Sequence, residues 1–272
     1  MYRVNKLSTL SLTVLLNDPK RNYRGIRIIT FYIKVVLNSI IKRNNESCDI
    51  SYDNENKLIS FYSDFTTVLF KSESLNKKHK FLLQNGIITG TYRKENLLEI
   101  PRYKIFPSEL STKEVFDLLI NRVVTFHSFS YLDKEIDLNE LIASLEKCHL
   151  SLNDEKVFKN IICDINSHKP LVKFSHGDLW RGNICFDSGN LVLIDWDDSA
   201  MRTFAFDIFY FLLSTSNLSF LEFYKNSIVD HCFTYKCYVQ FCEKTHQDAL
   251  VVKYKFYLSC FLLLRLSKRY AL

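Results

Sequence analysis

Apolar side chains between residues 26 and 43 fall at Ile29, Tyr32, Ile33, Val36, Leu37, Ile40 and Ile41. That three-and-four spacing lines one face of an amphipathic helix, and the polar run 42–47 ends it. The period then changes. From 48 to 71, short β-branched and aromatic runs at 58–62 and 65–70 are split by Ser63-Asp64, which predicts a small antiparallel sheet. Beyond Pro107 the helical period returns. Ser111-Thr112-Lys113-Glu114 is a start signal, because a serine cap and a glutamate three residues on satisfy each other's exposed backbone amides. Helical patterns cover 135–149 and 154–166. They resume from 204 to the end, with polar breaks near 215–218, 230 and 246. The fold class implied is α+β: a β-rich N-lobe, 1–108, and a mainly helical C-lobe, 109–272, joined near 107–111.

At 272 residues the chain is long enough to bury a substantial core in two lobes. Its 47% hydrophobic and 24% charged residues are ordinary for a folded protein and leave no disordered tract. The formal net charge of +6 is uneven. Residues 1–109 hold 18 Lys/Arg against 10 Asp/Glu, whereas the remainder holds 18 against 20. A basic N-terminal part leaves peripheral membrane contact or an anionic partner open, with solvated surface as the simpler explanation. The apolar run 7–16 lacks a small-residue cleavage site after it, and 249–266 is interrupted by Lys253 and Lys255. No transmembrane segment is predicted. The eight cysteines show no CxxC pair, which points to a reducing, cytoplasmic setting. Cys232, Cys237 and Cys242 recur every five residues. On a helix that step rotates them off a common face, so they read as buried thiols rather than zinc ligands.

The candidate chemistry is concentrated in 174–197. Phe174-Ser175-His176-Gly177-Asp178-Leu179-Trp180-Arg181-Gly182-Asn183 places His, Asp, Leu and Asn at relative positions 0, 2, 3 and 7, the spacing of a kinase catalytic loop. Two apolar runs, 184–186 and 191–194, follow around Asp187-Ser188-Gly189-Asn190 and predict a β-hairpin that ends on Asp195. With the turn centred on Gly189, Asn183 is expected opposite Asp195. An amide oxygen and a carboxylate would then share one mouth of the hairpin, a suitable arrangement for a hard cation such as Mg²⁺ bridging nucleotide phosphates.

The sequence His176-Gly177-Asp178-Leu179-Trp180-x-x-Asn183 followed by Leu193-Ile194-Asp195-Trp196-Asp197 resembles the aminoglycoside phosphotransferase and choline kinase-like family, within the protein-kinase-like superfold. The diagnostic stretch spans 174–207. The resemblance implies a two-lobe kinase-like fold and a phosphotransferase that uses ATP or GTP with Mg²⁺. It implies Asp178 as the base that orients the acceptor hydroxyl, Asn183 as a metal ligand and Asp195 as the metal-binding aspartate. His176 would brace the loop. Asp207, near the start of the next apolar helix, matches an aspartate that steadies the loop in this family, although the usual Gly and Pro around it are Thr203 and Ala205 here. Asp197 would reach a second metal, the acceptor or solvent. Arg181 would either neutralise phosphate charge or sit exposed, and Trp180 would wall the acceptor site or pack.

The N-lobe carries less. Lys71, at the end of Val68-Leu69-Phe70-Lys71, resembles the strand-borne lysine of kinases, with Glu95 as its expected carboxylate partner and Glu73 and Glu99 as alternatives. No GxGxxG is present, so a phosphate loop is sought at 61–65 or 53–56. Helical patterning resumes within ten residues of Asp195, too soon for the peptide-binding segment of a protein kinase. The expected partners are therefore a nucleotide and a small-molecule hydroxyl acceptor, with no nucleic acid. Sugars, glycan precursors, aminoglycosides and amino alcohols are the candidate acceptors. Between 199 and 272 there are nine Lys/Arg and five Asp/Glu, which disfavours a polycation and favours a neutral to anionic alcohol. The alternative function is a catalytically silent kinase-fold binding module.

Overall fold

In a computed structural model of the chain, the structure describes residues 2–4, 48–52, 57–62, 65–105, 109–129, 136–165, 169–187 and 190–270. The helix expected at 26–43, the apolar run 7–16, the candidate phosphate-loop stretches 53–56 and 63–64 and the turn at 188–189 lie outside them. The chain divides into two compact units, Met1–Arg102 and Tyr103–Leu272.

The first unit holds one six-stranded sheet. Its strands are β1 (Tyr2–Val4), β2 (Cys48–Tyr52), β3 (Lys57–Tyr62), β4 (Phe65–Phe70), β5 (Thr91–Lys94) and β6 (Leu97–Pro101), in the order β1-β2-β3-β4-β6-β5. Every pairing is antiparallel. Strand β4 buries Val68 and Phe70 on one face, the alternation a half-covered sheet requires. Helix α1 (Glu73–Gln84) follows at once, capped by the Ser72 hydroxyl, which accepts from the Leu75 amide (3.3 Å). The side-chain amide of Asn76 donates to the Glu95 carbonyl (3.0 Å), tying the helix to the turn between β5 and β6.

The second unit opens on a short strand. Strand β7 (Lys104–Ile105) pairs with β9 (Ile184–Asp187), which pairs in turn with β10 (Asn190–Leu193). A two-stranded ribbon joins β8 (Val172–Ser175) to β11 (Ala200–Thr203). The rest is helical: α2 (Thr112–His127), α3 (Leu138–Glu146), α4 (Leu152–Asp164), α5 (Phe206–Thr215), α6 (Phe220–Ser227), α7 (Phe233–Lys244) and α8 (Tyr254–Arg269). The capping box expected at Ser111 forms: its hydroxyl accepts from the Glu114 amide (3.3 Å), and the Glu114 carboxylate accepts from the Ser111 amide (2.8 Å). The sequence breaks near 215–218, 230 and 246 fall between α5, α6, α7 and α8.

Aromatic rings fill the core of this unit. Trp196 is 1% exposed and meets Phe126 edge-on at 5.1 Å, while Phe206 meets Phe261 at 5.2 Å. His127, in the last turn of α2, is sunk among Phe126, Phe204 and Phe241. Neither of its ring nitrogens has a hydrogen-bond partner among the described residues. Burial, with Lys173 adding to it, lowers its pKa from 6.5 to about 3. The folded state therefore binds fewer protons than the unfolded chain between about pH 6.5 and pH 3, so stability falls as pH drops through that window. The expected loss at pH 5 is about 2 kcal/mol. His127→Leu should flatten part of the decline in melting temperature between pH 7.5 and 5. A variant with the wild-type decline would contradict this account.

Among the described residues, no helix is long and apolar enough to cross a membrane. Cys237 and Cys242 are buried on α7, and burial pushes their thiols up to about 12 and about 11. No three His, Cys, Asp or Glu side chains converge on a metal position among those residues. The thiols on α7 belong to the core.

Candidate active site

Strand β8 delivers the loop that begins at His176. Pairing of Ser175 with Ala200 at the end of the ribbon sets the loop beside the segment that follows Asp195. The chain then turns at Gly177, whose φ of +84° lies in the left-handed region. A Cβ there would fall within 3.0 Å of the Asp198 carbonyl oxygen and 2.7 Å from Arg202 Nη2. Only glycine fits this backbone and this clearance.

Asp207, in the first turn of α5, holds the turn. Its carboxylate accepts from the amides of His176 (2.7 Å) and Gly177 (2.9 Å) and is fully buried. Burial raises the Asp207 pKa, opposed by His176 and by the two amides. The residue before the helix, Ala205, has φ 63°, a left-handed entry that glycine would adopt at less cost.

His176 is also fully buried, with Trp196 packed against its ring at 4.5 Å. Its Nε2 donates to the Ile194 carbonyl (2.8 Å), and its Nδ1 accepts from the Asp178 amide (3.4 Å). A carbonyl only accepts and an amide only donates, so these partners fix the neutral Nε2–H tautomer. Burial lowers the His176 pKa, opposed in turn by Asp207, the Ile194 bond, Asp195 and Asp178.

Asp178 is half-buried. Its Oδ1 accepts from the Tyr210 hydroxyl on α5, and its Oδ2 accepts from the side-chain amide of Asn183 (3.2 Å). The same Asn183 nitrogen donates to the Asp178 carbonyl at 2.8 Å. Two acceptors on one side assign the amide, so its nitrogen faces Asp178 and its oxygen the opposite way. Asn183 closes a short 3₁₀ turn, Arg181–Asn183, and is 5% exposed.

The hairpin register differs from the sequence expectation by one residue. Asn190 pairs with Asp187 and Leu193 with Ile184, so two residues span the turn. Asn183 is therefore level with Ile194, whose amide donates to the Asn183 carbonyl (3.0 Å). Asp195 lies one step beyond the ladder, exposed, at φ 60° and ψ 63°. A left-handed step at a non-glycine residue redirects the chain there. Ile194 is gripped at both ends, by Asn183 and by His176, and this fixes where Asp195 leaves the sheet.

The remaining predicted residues separate. Asp197 does not lie on an extended segment, because Trp196–Asp198 form a 3₁₀ turn, and it is half-buried. Its neighbour Asp198 forms an ion pair with Lys268. Arg181 is half-buried and donates to the Leu110 carbonyl (2.8 Å), so it does not sit exposed on the loop. Trp180 is 48% exposed, with its ring lying across Gly182. Lys71 is exposed just past β4, and Glu95 is exposed in the β5–β6 turn. The Phe70 amide donates to the Asn96 carbonyl (2.9 Å), which brings these two stretches of backbone side by side. The alternatives are engaged elsewhere: Glu73 with Lys77 (2.8 Å) and Glu99 with Arg93 (2.7 Å).

The sequence reading missed Tyr210. Its ring lies under the Arg265 guanidinium at 4.4 Å, and burial, reinforced by its bond to Asp178, raises its hydroxyl to about 12. It remains a protonated donor at any working pH. The available signal was its position three residues after Asp207 on the same helix, which puts both on one face.

Residues 108–236, just under half of the chain, match the model of the APH family, described as a phosphotransferase enzyme family. Over this stretch the chain is similar to that phosphotransferase family. It is a phosphotransferase. No curated protein matches its sequence. Among solved structures, aminoglycoside 2'-phosphotransferase-IIIa in its GDP complex aligns with a TM-score of 0.54 at 14% identity, over 88% of this chain and 92% of that one. Choline kinase LicA from Streptococcus pneumoniae aligns with a TM-score of 0.53 at 16% identity, over 88% and 91%. A choline/ethanolamine kinase family protein from Mesorhizobium loti gives 0.51 at 10% identity, over 82% and 80%. These likenesses establish the phosphotransferase's kinase-like α+β fold.

Proposed function

We propose that this phosphotransferase moves the γ-phosphoryl group of ATP or GTP to an alcohol, with Asp178 as the base. The observation that carries the reading is the carboxylate of Asp178, half-buried, held by Tyr210 and Asn183 on a loop anchored through Asp207. A base must be immobile before the hydroxyl arrives, because phosphoryl transfer owes most of its rate to alignment and charge neutralisation. The alcohol oxygen bonds to the γ-phosphorus as the bond to the β,γ-bridging oxygen breaks. Asp178 accepts the hydroxyl proton and later releases it to solvent.

Asn183 and Asp195 fit a hard divalent cation. Both offer oxygen donors, and the Asn183 oxygen is turned away from Asp178 by the amide bonds described above. Two protein donors, with phosphate oxygens and water completing the set, is the usual arrangement for Mg²⁺. When bound, Mg²⁺ supplies charge neutralisation for the phosphates. His176 acts through Ile194 to position Asp195 and takes no proton, and Asp207 fixes the loop. Lys71 with Glu95 is assigned to nucleotide phosphates, Asp197 and Arg181 are assigned supporting roles, and a cytoplasmic setting is in keeping with free thiols.

Two measurements test this reading. Purified protein with Mg²⁺ and ATP or GTP should phosphorylate at least one alcohol from a panel of sugars, amino alcohols and aminoglycosides. Asp195→Ala should weaken Mg²⁺-dependent nucleotide binding, read by titration calorimetry, by about tenfold or more. Unaltered affinity in that variant would remove Asp195 from the metal site. Absence of both transfer and nucleotide binding would favour a silent binding module instead.

A further inference from the structure

A cavity of about 500 Å³, an ordinary size for a small-molecule site, opens between α5 and α8. Tyr210 lines it and also donates to Asp178, so the cavity stands one tyrosine ring from the proposed base. Leu213, Phe220 and Leu266 supply its apolar wall. Its charged lining consists of Arg265, Lys268 and Arg269, with no acidic residue.

These three cations stand at positions 0, 3 and 4 along α8, on one face of the helix. Lys268 and Arg269 occupy the last turn, where positive charge complements the helix dipole. Each already has a carboxylate, Asp198 for Lys268 and Asp154 for Arg269 (3.0 Å). Arg265 is different. It lies a turn earlier, is half-buried, and makes no ion pair among the described residues, its guanidinium resting on the Tyr210 ring. Stacking on an aromatic face leaves the planar edge of a guanidinium free to donate two parallel hydrogen bonds, the geometry that recognises a phosphate or carboxylate. A cationic acceptor would meet the Arg265 charge here, and no carboxylate among the residues that line the cavity.

We propose that the acceptor is an alcohol bearing a phosphate or carboxylate group, with Arg265 as the residue that selects it. The inference rests on the phosphotransferase reading of Asp178, and deepens it by naming the acceptor class. The anion would sit at Arg265 and Lys268 with its carbon chain against Leu213 and Phe220, leaving its hydroxyl to reach past Tyr210 to Asp178.

The experiment uses the full chain with Mg²⁺ and ATP or GTP, and acceptors in matched sets: glycerol 3-phosphate against glycerol, glucose 6-phosphate and gluconate against glucose, and kanamycin and choline as cations. The anionic member of a set should have a KM about tenfold or more below its neutral partner, the value of one charge-assisted hydrogen bond. The phosphate and carboxylate arms separate the two anion types. Arg265→Gln should raise that KM about tenfold or more with a smaller effect on kcat, and Arg265→Lys should recover part of it. Equal or better use of neutral or cationic acceptors, or an unchanged KM in Arg265→Gln, overturns the anionic assignment while leaving the phosphotransferase intact. Failure of that wider reading looks different: no acceptor of any charge is phosphorylated.

Discussion

Asp178→Asn is expected to lower kcat for alcohol phosphorylation by about 10²- to 10⁴-fold, the range over which a positioned general base contributes. The substitution keeps size and shape but removes the acceptor for the hydroxyl proton. Its structural cost is small. The Tyr210 hydroxyl and the Asn183 amide now donate to the two carboxylate oxygens, and an asparagine can accept from one of them while its own amide faces the other. That mismatch costs about 1 kcal/mol, too little to unfold the protein. Melting temperature and nucleotide affinity should stay near the parent values while turnover collapses. A variant that retains its kcat would exclude Asp178 as the base.

Gly177→Ala should damage both stability and turnover. At φ +84° an alanine carries a left-handed penalty of about 1–2 kcal/mol. Its methyl group would also fall within 3.0 Å of a backbone oxygen, that of Asp198, so the main chain itself must move. Displacing Gly177 stretches the bond from its amide to Asp207 and leaves a fully buried carboxylate short of a donor. Together these effects should cost about 3 kcal/mol or more, seen as a lower urea midpoint, with kcat reduced because Asp178 is the next residue. A variant with parental stability and turnover would show that the loop tolerates another backbone path.

Some of this site is written locally in the sequence. The loop spacing from His176 to Asn183, the two strands after it and the Ser111 capping box depend on residues within a few positions of each other, and all form where the pattern places them. The register of the hairpin was less legible. Ser188-Gly189-Asn190 admits more than one turn, and a difference of one residue moves the partner of Asn183 from Asp195 to Ile194. The ribbon of β8 with β11 was missed because its strands are four residues long and meet only through tertiary packing. Tyr210 and Arg265 were missed for a related reason. Each lies in an apolar helical run whose periodicity explains it as core, and only the approach of α5 to α8 gives the pair its geometry. Departures at Thr203 and Ala205 put Asp207 in question from sequence alone, yet its carboxylate takes both loop amides.

Helix α5 divides its duties along its length. Asp207 and Tyr210 hold the loop from the first turns, while Leu213, one turn further on, faces the cavity. The support of the proposed base and the wall of the proposed acceptor site thus occupy successive turns of one rod, and the Leu213 turn can change without touching the loop contacts. Such a layout favours evolvability: substitutions at 213 and 220 would reshape the proposed acceptor wall in a few steps, with Asp207, Tyr210 and the Arg265 stack on Tyr210 left in place.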